Sequence, residues 1–378
     1  MESNDILALT YYRGRVGLYA VLKALGIGRG DEVATQAFTC LAVPEGIMAT
    51  GAAPRFVDIE TDGFNIDPRE LQRRLTPATR AIVVQHTFGV PAQLDPILDI
   101  ARRAGLPVIE DCCHTLCSRY RGQTVGHFGV ASFYSFEWGK PIVAGIGGGL
   151  LVHDGELRGN IERAYATLPA PSVLRQLKVE LQYAMFSLLY RPSLYWPLRT
   201  LFHCLSKLGM AEGNYNPVSA SGDAADDFGR RMSDPVRRRL AKRIGRLAEV
   251  SGHARRVAAH YRQAIWSSQA VHPQVPEESD AVFARYPLRV PDKTALTRKA
   301  RERNVELAEW YMTPVHPLER DEWRLVNYEA DSCPHAEARA REVVSLPTHP
   351  RVGRRFVERA AELLNGAEAR PGTLRKAA

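Results

Sequence analysis

Residues 107–114 have the sequence PVIEDCCH, in which a short apolar run ends in two carboxylates and is followed by a histidine. A run of this kind is typical of a buried strand, and α/β sheets bind their ligands at the carboxyl ends of strands. Asp111 and His114 are therefore predicted to lie at a ligand-binding edge. The pattern alone is weakly specific, because acidic residues are common at strand ends.

The sequence around this run alternates between strand-like and helix-like patterns. Short apolar runs recur at residues 54–57, 81–84, 108–109, 131–134 and 149–152. Helical segments lie between several of them, such as Pro96–Ala104, for which Asp95 is the predicted N-cap and Gly105 the stop. This alternation predicts an α/β fold with a mainly parallel sheet covered by helices.

The last third of the chain predicts a smaller domain. A strand is expected over Tyr286–Val290, and helices over Lys293–Arg303 and Arg351–Leu364. We therefore expect a large domain over residues 1–230 and a small α+β domain over residues 231–378.

The charge of the 378-residue chain is concentrated in one segment. The formal net charge is +8, and residues 230–246 contain eight Arg and Lys residues against a single Asp. We favour a solvated helix face, with a site for anionic substrates or membrane headgroups as the alternative. No zinc-finger or aromatic RNA-binding pattern accompanies the run, so we expect no nucleic-acid partner.

The cysteines predict neither a metal site nor disulfides. Cys112, Cys113 and Cys117 cluster around His114, but no second pair follows at zinc-binding spacing. We interpret them as small buried residues in a reducing compartment. The polar start of the chain does not resemble a signal peptide, so a cytoplasmic location is expected.

The segment Val173–Leu208 is apolar and rich in aromatic residues. Leucines and a methionine at residues 174, 177, 181, 185 and 188 follow a helical period. The run is too short to span a bilayer, which takes about 20 apolar residues. Packing in the core or a dimer interface is one interpretation, and peripheral contact with the inner face of the membrane is the other.

A second motif surrounds Lys140. Residues 135–140 have the sequence SFEWGK, and residues 145–149 have the sequence GIGGG. The glycines allow sharp turns and close approach of the backbone to a ligand. Lys140, between these turns and the hydroxyl of Ser135, is a candidate reactive lysine.

The order of EDCCH, SFEWGK and GIGGG resembles the DegT/StrS-type family of nucleotide-sugar aminotransferases. The segments at residues 14–18, 24–33, 38–40, 51–58, 86–91 and 340–350 are similar to that family as well. The resemblance implies the three-layer, fold-type-I architecture of pyridoxal-phosphate (PLP) enzymes, and a homodimer with its active sites at the interface.

The resemblance also implies roles for individual residues. Lys140 carries the cofactor and moves a proton, Asp111 pairs with the pyridine nitrogen, and His114 lies near the ring hydroxyl. The phosphate is held by Ser135 and by the backbone around Gly14 and Arg15. Phe88 or His86 covers the ring, and the choice between them stays open.

Two positions depart from the family pattern. Ile146 replaces an acidic residue, and Gly229 replaces an asparagine that reaches the phosphate of the partner subunit. Arg230 or Arg231 is a candidate replacement, because guanidinium groups suit phosphate.

The resemblance implies amino transfer from glutamate to a keto-sugar on a nucleotide or lipid-diphosphate carrier. A PLP-dependent sugar dehydratase or lyase is the first alternative. It is disfavoured by Lys140, which is replaced by histidine in the resembling dehydratases. A non-catalytic binding or regulatory protein is the second alternative, and only the basic segment supports it.

Overall fold

The computed structural model describes residues 9–207 and 226–366. The strands, in chain order, are β1 (Leu9–Tyr11), β2 (Glu32–Gln36), β3 (Thr39–Cys40), β4 (Ala53–Val57), β5 (Thr79–Gln85), β6 (Val108–Asp111), β7 (Arg119–Tyr120), β8 (Gln123–Thr124), β9 (Ala131–Ser135), β10 (Gly148–Val152), β11 (Ser279–Asp280), β12 (Arg285–Arg289), β13 (Val315–His316) and β14 (Val343–Pro347). The helices are α1 (Gly14–Ala24), α2 (Ala42–Met48), α3 (Pro68–Arg74), α4 (Leu94–Ala104), α5 (Gly155–Ala166), α6 (Val173–Leu189), α7 (Tyr195–Lys207), α8 (Asp234–Ile244), α9 (Leu247–Ala264), α10 (Lys293–Glu302), α11 (Pro334–Glu342) and α12 (Arg354–Asn365).

The main sheet has seven strands in the order β1-β10-β9-β6-β5-β2-β4. The five strands from β9 to β4 are parallel, whereas β10 and β1 add to the edge in antiparallel fashion. The predicted α/β fold with a mainly parallel sheet is confirmed. All five apolar runs found in the sequence lie in strands of this sheet, and β1 and β2 complete it.

Helices cover both faces of the sheet, because its strands are apolar on both sides. Val108 packs in one cluster with residues of α4, and Ile109 packs in another with residues of α1. Successive side chains of a strand point to opposite faces. Glu110 consequently lies on the α4 side and Asp111 on the α1 side. The predicted start of α4 was wrong, since the helix begins at Leu94 and Gln93 is its N-cap.

The strand expected over Tyr286–Val290 is present as β12, which pairs with β14 in antiparallel fashion. Tyr286, Leu288 and Leu346 pack there with residues of α9 and α12. The domain boundary at residue 230 stays a prediction. In α8, Val236 and Leu240 nevertheless pack with Tyr134 of β9, on the large-domain side of that boundary.

The helical pair α6–α7 lies on the surface. Leu174, Leu181 and Leu188 of α6 are exposed, so the interpretation that this face packs in the core of the subunit was wrong. The basic helix α8 is only partly the solvated face that we favoured. Its Arg238 is exposed, but its Arg239 forms an ion pair with Glu180 of α6.

Candidate active site

Asp111 ends β6 and is almost fully buried. Its carboxylate accepts the N–H of Cys113 at 2.9 Å, and it has no ion pair among the described residues. Burial raises the pKa of Asp111, although the N–H of Cys113 and the positive charge of Lys140 oppose the rise. A buried carboxylate in this state favours a cationic partner, because a nearby positive charge restores its ionised form.

Glu110, one residue earlier, has hydrogen-bond partners within the protein at both carboxylate oxygens. One oxygen accepts the N–H groups of Phe128 and Gly129 at 2.6 and 2.9 Å. The other accepts the N–H of Gly126 at 2.6 Å and lies 3.1 Å from Nε2 of His86. Although burial opposes it, hydrogen bonds and the neighbouring His86 lower the pKa of Glu110. Glu110 therefore stabilises the turn before β9 and is not available to a ligand.

His114 is buried and electrically neutral. Burial and the charge of Lys140 hold the pKa of His114 well below its usual range. Its Nδ1 accepts the N–H of Phe88 at 3.2 Å, so the ring proton is assigned to Nε2. Nε2 lies 3.4 Å from the hydroxyl of Tyr311. The Nε2–H of His114 can therefore donate one hydrogen bond.

The structure separates the two candidates for covering the ring. His86 lies on the Glu110 side, where its Nδ1 accepts the N–H of Ala92 at 3.1 Å. Phe88 lies on the His114 side, with ring centroids 6.1 Å apart and the planes nearly parallel. Its ring is also enclosed by other aromatic side chains, including Phe64.

Gly14 and Ser135 meet where α1 begins and β9 ends. A Cβ at Gly14 would lie 3.0 Å from the carbonyl oxygen of Tyr134 and 3.1 Å from Cβ of Ser135. Only glycine allows this approach without displacement. The start of α1 has no side-chain cap and no acidic residue in its first turn. Its backbone N–H groups and the Ser135 hydroxyl thus form a cradle suited to an anion, as helix N-termini do for phosphate.

Two arginines flank this cradle but are engaged by carboxylates. Arg13 donates to Asp227 at 2.6 Å and to Glu137 at 3.2 Å. Arg15 forms an ion pair with Glu45. Burial, with the charge of Arg13, lowers the pKa of Arg15. The side chain of Arg15 therefore points into the subunit, and its contribution to the cradle is limited to the backbone.

Lys140 lies on the loop between β9 and β10. The loop is closed by hydrogen bonds from Phe136 N–H to Gly147 O and from Ala144 N–H to Phe136 O, both at 2.8 Å. The charge of Lys140 acts on the pKa values of Asp111 and His114, so these groups lie within its electrostatic reach. The loop thus brings the lysine to the edge where β6 ends.

Trp310 and Tyr311 were missed by the reasoning from sequence. The Trp310 ring lies 5.0 Å from Nζ of Lys140 and stacks on His114 at 5.3 Å. The Tyr311 ring also contacts His114, with centroids 6.0 Å apart. The adjacent aromatic residues were the only local signal, and nothing near them indicated which loop they would meet.

Helix α6 covers the Lys140 loop from outside. Its Phe186 and Tyr183 contact the ring of Trp138, with centroids 4.6 and 6.3 Å apart. A Cβ at Gly145 would lie 3.3 Å from Tyr183. The apolar insertion therefore packs directly on the segment that holds the candidate lysine.

The positions that depart from the family pattern have structural explanations or are open to solvent. Ile146 is buried in the cluster that contains Tyr134. A Cβ added at Gly229 would meet no atom of the described residues within 4 Å. Arg230 is held by Asp226 of its own chain at 2.7 Å, whereas Arg231 is exposed.

One cavity of the described chain lies away from these residues. It measures about 850 Å³, and Glu60, Gln93 and Glu278 are among the residues that line it. None of the predicted site residues borders it.

Comparison with protein families gives a match over residues 5–365. The matching model is the DegT/DnrJ/EryC1/StrS aminotransferase family. The match includes every candidate residue described above.

Individual relatives are similar to parts or most of the chain. The pleiotropic regulatory protein of Geobacillus stearothermophilus is 28% identical over 345 residues, which cover 89% of this chain and 78% of that protein. The GDP-perosamine synthase of Escherichia coli O157:H7 is 37% identical over 154 residues, covering 40% of this chain and 42% of the enzyme. Seven such relatives are matched over only 33–42% of their own length. Among solved structures, DesV of S. venezuelae has a TM-score of 0.73 at 25% identity, covering 94% of this chain and 83% of DesV.

Proposed function

The chain belongs to the DegT/DnrJ/EryC1/StrS aminotransferase family, and on that premise we propose that it transfers an amino group to a keto-sugar. The amino donor is glutamate, and the acceptor sugar is carried on a nucleotide or lipid diphosphate. The observation that supports the proposal most is that Lys140 and His114 both contact the Trp310 ring, at the edge of the sheet where Asp111 ends β6.

The donor set fits PLP, the cofactor on which this family depends. The cofactor has a phosphate, a basic ring nitrogen and a ring hydroxyl, and each has a matching group here. The α1 N-terminus with Gly14, Arg15 and Ser135 suits the phosphate. Asp111 suits the ring nitrogen, and the Nε2–H of His114 suits the hydroxyl oxygen. When bound, PLP supplies an electron sink for the carbon that carries the amino group.

The candidate residues have separate roles in the proposed reaction. Asp111 would keep the ring nitrogen protonated, because its buried carboxylate gains from a cationic neighbour. Lys140 would hold the cofactor covalently and would move a proton to and from the carbon that carries nitrogen. Phe88, which stacks on His114, fixes that side of the pocket and is preferred to His86 for covering the ring.

The active unit is a homodimer in which Arg231 reaches the partner's phosphate cradle. Arg231 is exposed, while Arg230 is held by Asp226, and this difference supports Arg231. Arg231 would contact the phosphate in place of the family's asparagine, since Gly229 has no side chain. The cytoplasmic location expected from the sequence stays a prediction.

The relatives support amino transfer over the alternatives. GDP-perosamine synthase is named for a nucleotide-linked amino sugar. Lys140 favours a transferase over a dehydratase. The relative with a regulatory name leaves the non-catalytic alternative to be tested directly.

A two-stage absorbance experiment tests the proposal. The purified protein should show the visible band of lysine-bound PLP, and glutamate should bleach it. A panel of nucleotide-linked keto-sugars should restore the band, with mass spectrometry of the products identifying the amino sugar. A protein that stays colourless with added PLP, or a band insensitive to every amino donor, would refute the proposal.

A further inference from the structure

The outer surface of the helical pair α6–α7 is unusually apolar. Twelve large apolar side chains are exposed in the described parts of the chain, and nine of them belong to residues 173–201. Five of the nine, at residues 174, 177, 181, 185 and 188, form one line along α6, called here the apolar stripe. Contiguous exposed apolar surface of this kind marks an interaction site.

The stripe is fixed on the outside because the opposite side of α6 is engaged. Val179 is buried, and Phe186 packs on Trp138. Leu181 and Leu188, in contrast, are 62% and 74% exposed. The stripe cannot rotate inward without breaking the aromatic contacts on the other face.

Polar contacts also anchor α6 to the rest of the subunit. Arg239 binds both carboxylate oxygens of Glu180, at 2.6 and 2.9 Å. Arg243 donates to the hydroxyl of Tyr183 at 2.7 Å. Arg351 donates to the carbonyls of Ser187 and Tyr190, at 2.9 and 2.8 Å. The helix therefore presents the stripe as a rigid surface.

The charge around the stripe indicates what it binds. Residues 173–205 contain four Arg and Lys residues and a single carboxylate, Glu180, which Arg239 neutralises. Two of the four cations are paired, Arg175 with Asp226 and Asp227 and Arg199 with Glu309. Arg191, just after the end of α6, is exposed. The chain as a whole has a formal net charge of +8, so a second copy would bring like charges together, whereas an anionic surface attracts them.

We propose that α6 and α7 dock the enzyme on an anionic lipid bilayer. No helix in the described ranges is long and apolar enough to cross a membrane. The 17 residues of α6 give a length of about 25 Å. The helix lies in the plane of the interface, with the stripe among the headgroups and upper acyl chains.

Docking places the active site close to the lipid. The inner face of α6 touches Trp138, two residues before Lys140, so roughly one helix diameter of about 10 Å separates that loop from the membrane. A keto-sugar on a lipid diphosphate is then favoured over a soluble nucleotide sugar. This consequence alone rests on the proposed function, whereas the docking does not.

Vesicle co-sedimentation of the PLP-loaded enzyme tests the docking. The probes are vesicles of phosphatidylcholine with or without phosphatidylglycerol, at low and high salt. We expect binding to the anionic vesicles that weakens with salt. Leu177→Glu/Leu181→Glu should lower the partition coefficient about 100-fold, because burial of each leucine is worth about tenfold or more. Leu325→Glu, at an exposed leucine outside the helical pair, is the matched control and should bind like the wild type.

Two results would overturn the proposal. One is no binding to anionic vesicles at low salt. The other is equal binding by the wild type and the stripe variant. If the variant converts a dimer to a monomer without any vesicle binding, the stripe is a subunit interface. Should the charged variant fail to fold, Leu174→Ser/Leu188→Ser replaces it. Bleaching by glutamate reports separately on catalysis, and the stripe variants should retain it.

Discussion

Glu110 and Asp111 are adjacent in sequence, yet replacing each by its amide should have opposite effects. Glu110→Gln should destabilise the fold and leave the chemistry of the remaining folded enzyme intact. Asp111→Asn should leave the fold intact and slow the chemistry. The reason is that successive side chains of β6 point to opposite faces of the sheet. Glu110 therefore faces the backbone N–H groups that donate to it, and Asp111 faces the candidate site.

The size of the Glu110→Gln effect follows from its hydrogen bonds. The introduced amide oxygen can still accept the N–H groups of Phe128 and Gly129. The introduced amide nitrogen then faces the N–H of Gly126, and no hydrogen bond forms there because both groups are donors. An unsatisfied buried donor and the lost charge together cost roughly 3–5 kcal/mol. For Asp111→Asn, the loss of an electrostatic partner should slow the reaction about 10²-fold or more.

Urea unfolding of the cofactor-free protein and the rate of bleaching by glutamate measure the two effects. The pKa of Glu110 is lowered on folding, so its stabilisation is present above the ordinary value of 4.5 and is lost as the pH falls through the folded value. The stability difference between the wild type and Glu110→Gln should therefore shrink below pH 4.5. An Asp111→Asn variant with a normal bleaching rate, or a Glu110→Gln variant of normal stability at pH 7, would refute the reasoning.

Three further changes have expected outcomes. Lys140→Ala should abolish the borohydride-trapped cofactor link with an unchanged circular dichroism spectrum, and normal amino transfer would exclude Lys140. Glu306→Gln, which breaks the buried pair with Arg285, should cost about 3–5 kcal/mol in urea unfolding. Since the pKa of Glu306 is lowered to about 2, the stabilisation by this pair should be lost as the pH falls from 4.5 to 2. A difference in unfolding free energy between the wild type and Glu306→Gln that does not change with pH would contradict this. Gly14→Ala should weaken PLP binding about tenfold in equilibrium dialysis, because the Cβ of the introduced alanine would crowd Ser135. An unchanged affinity would mean that the phosphate binds elsewhere.

Local patterns in the sequence determined the architecture and much of the candidate site. The apolar runs predicted the buried strands because strand burial depends on side chains a few residues apart. The carboxylates at the end of β6 and the lysine loop after β9 were predicted because parallel strands end at one edge of a sheet. These features need no knowledge of distant residues.

Tertiary packing decided which neighbours complete the site. The proposed preference for Phe88 over His86 rests on Glu110, which contacts His86 on the other face of the sheet. Trp310 reaches Lys140 from 170 residues further along the chain, and no local pattern encodes such a meeting.

Tertiary contacts likewise determine the orientation of α6. Its sequence has two apolar sides, one of leucines and one of aromatic residues, so periodicity alone does not indicate which side is buried. The aromatic side faces inward because Phe186 packs on Trp138 and Tyr183 is held by Arg243. The sequence by itself thus determined that α6 is an apolar helix. Only long-range contacts decided that its leucines face outward, since burial is a property of the partner surface as well as of the helix.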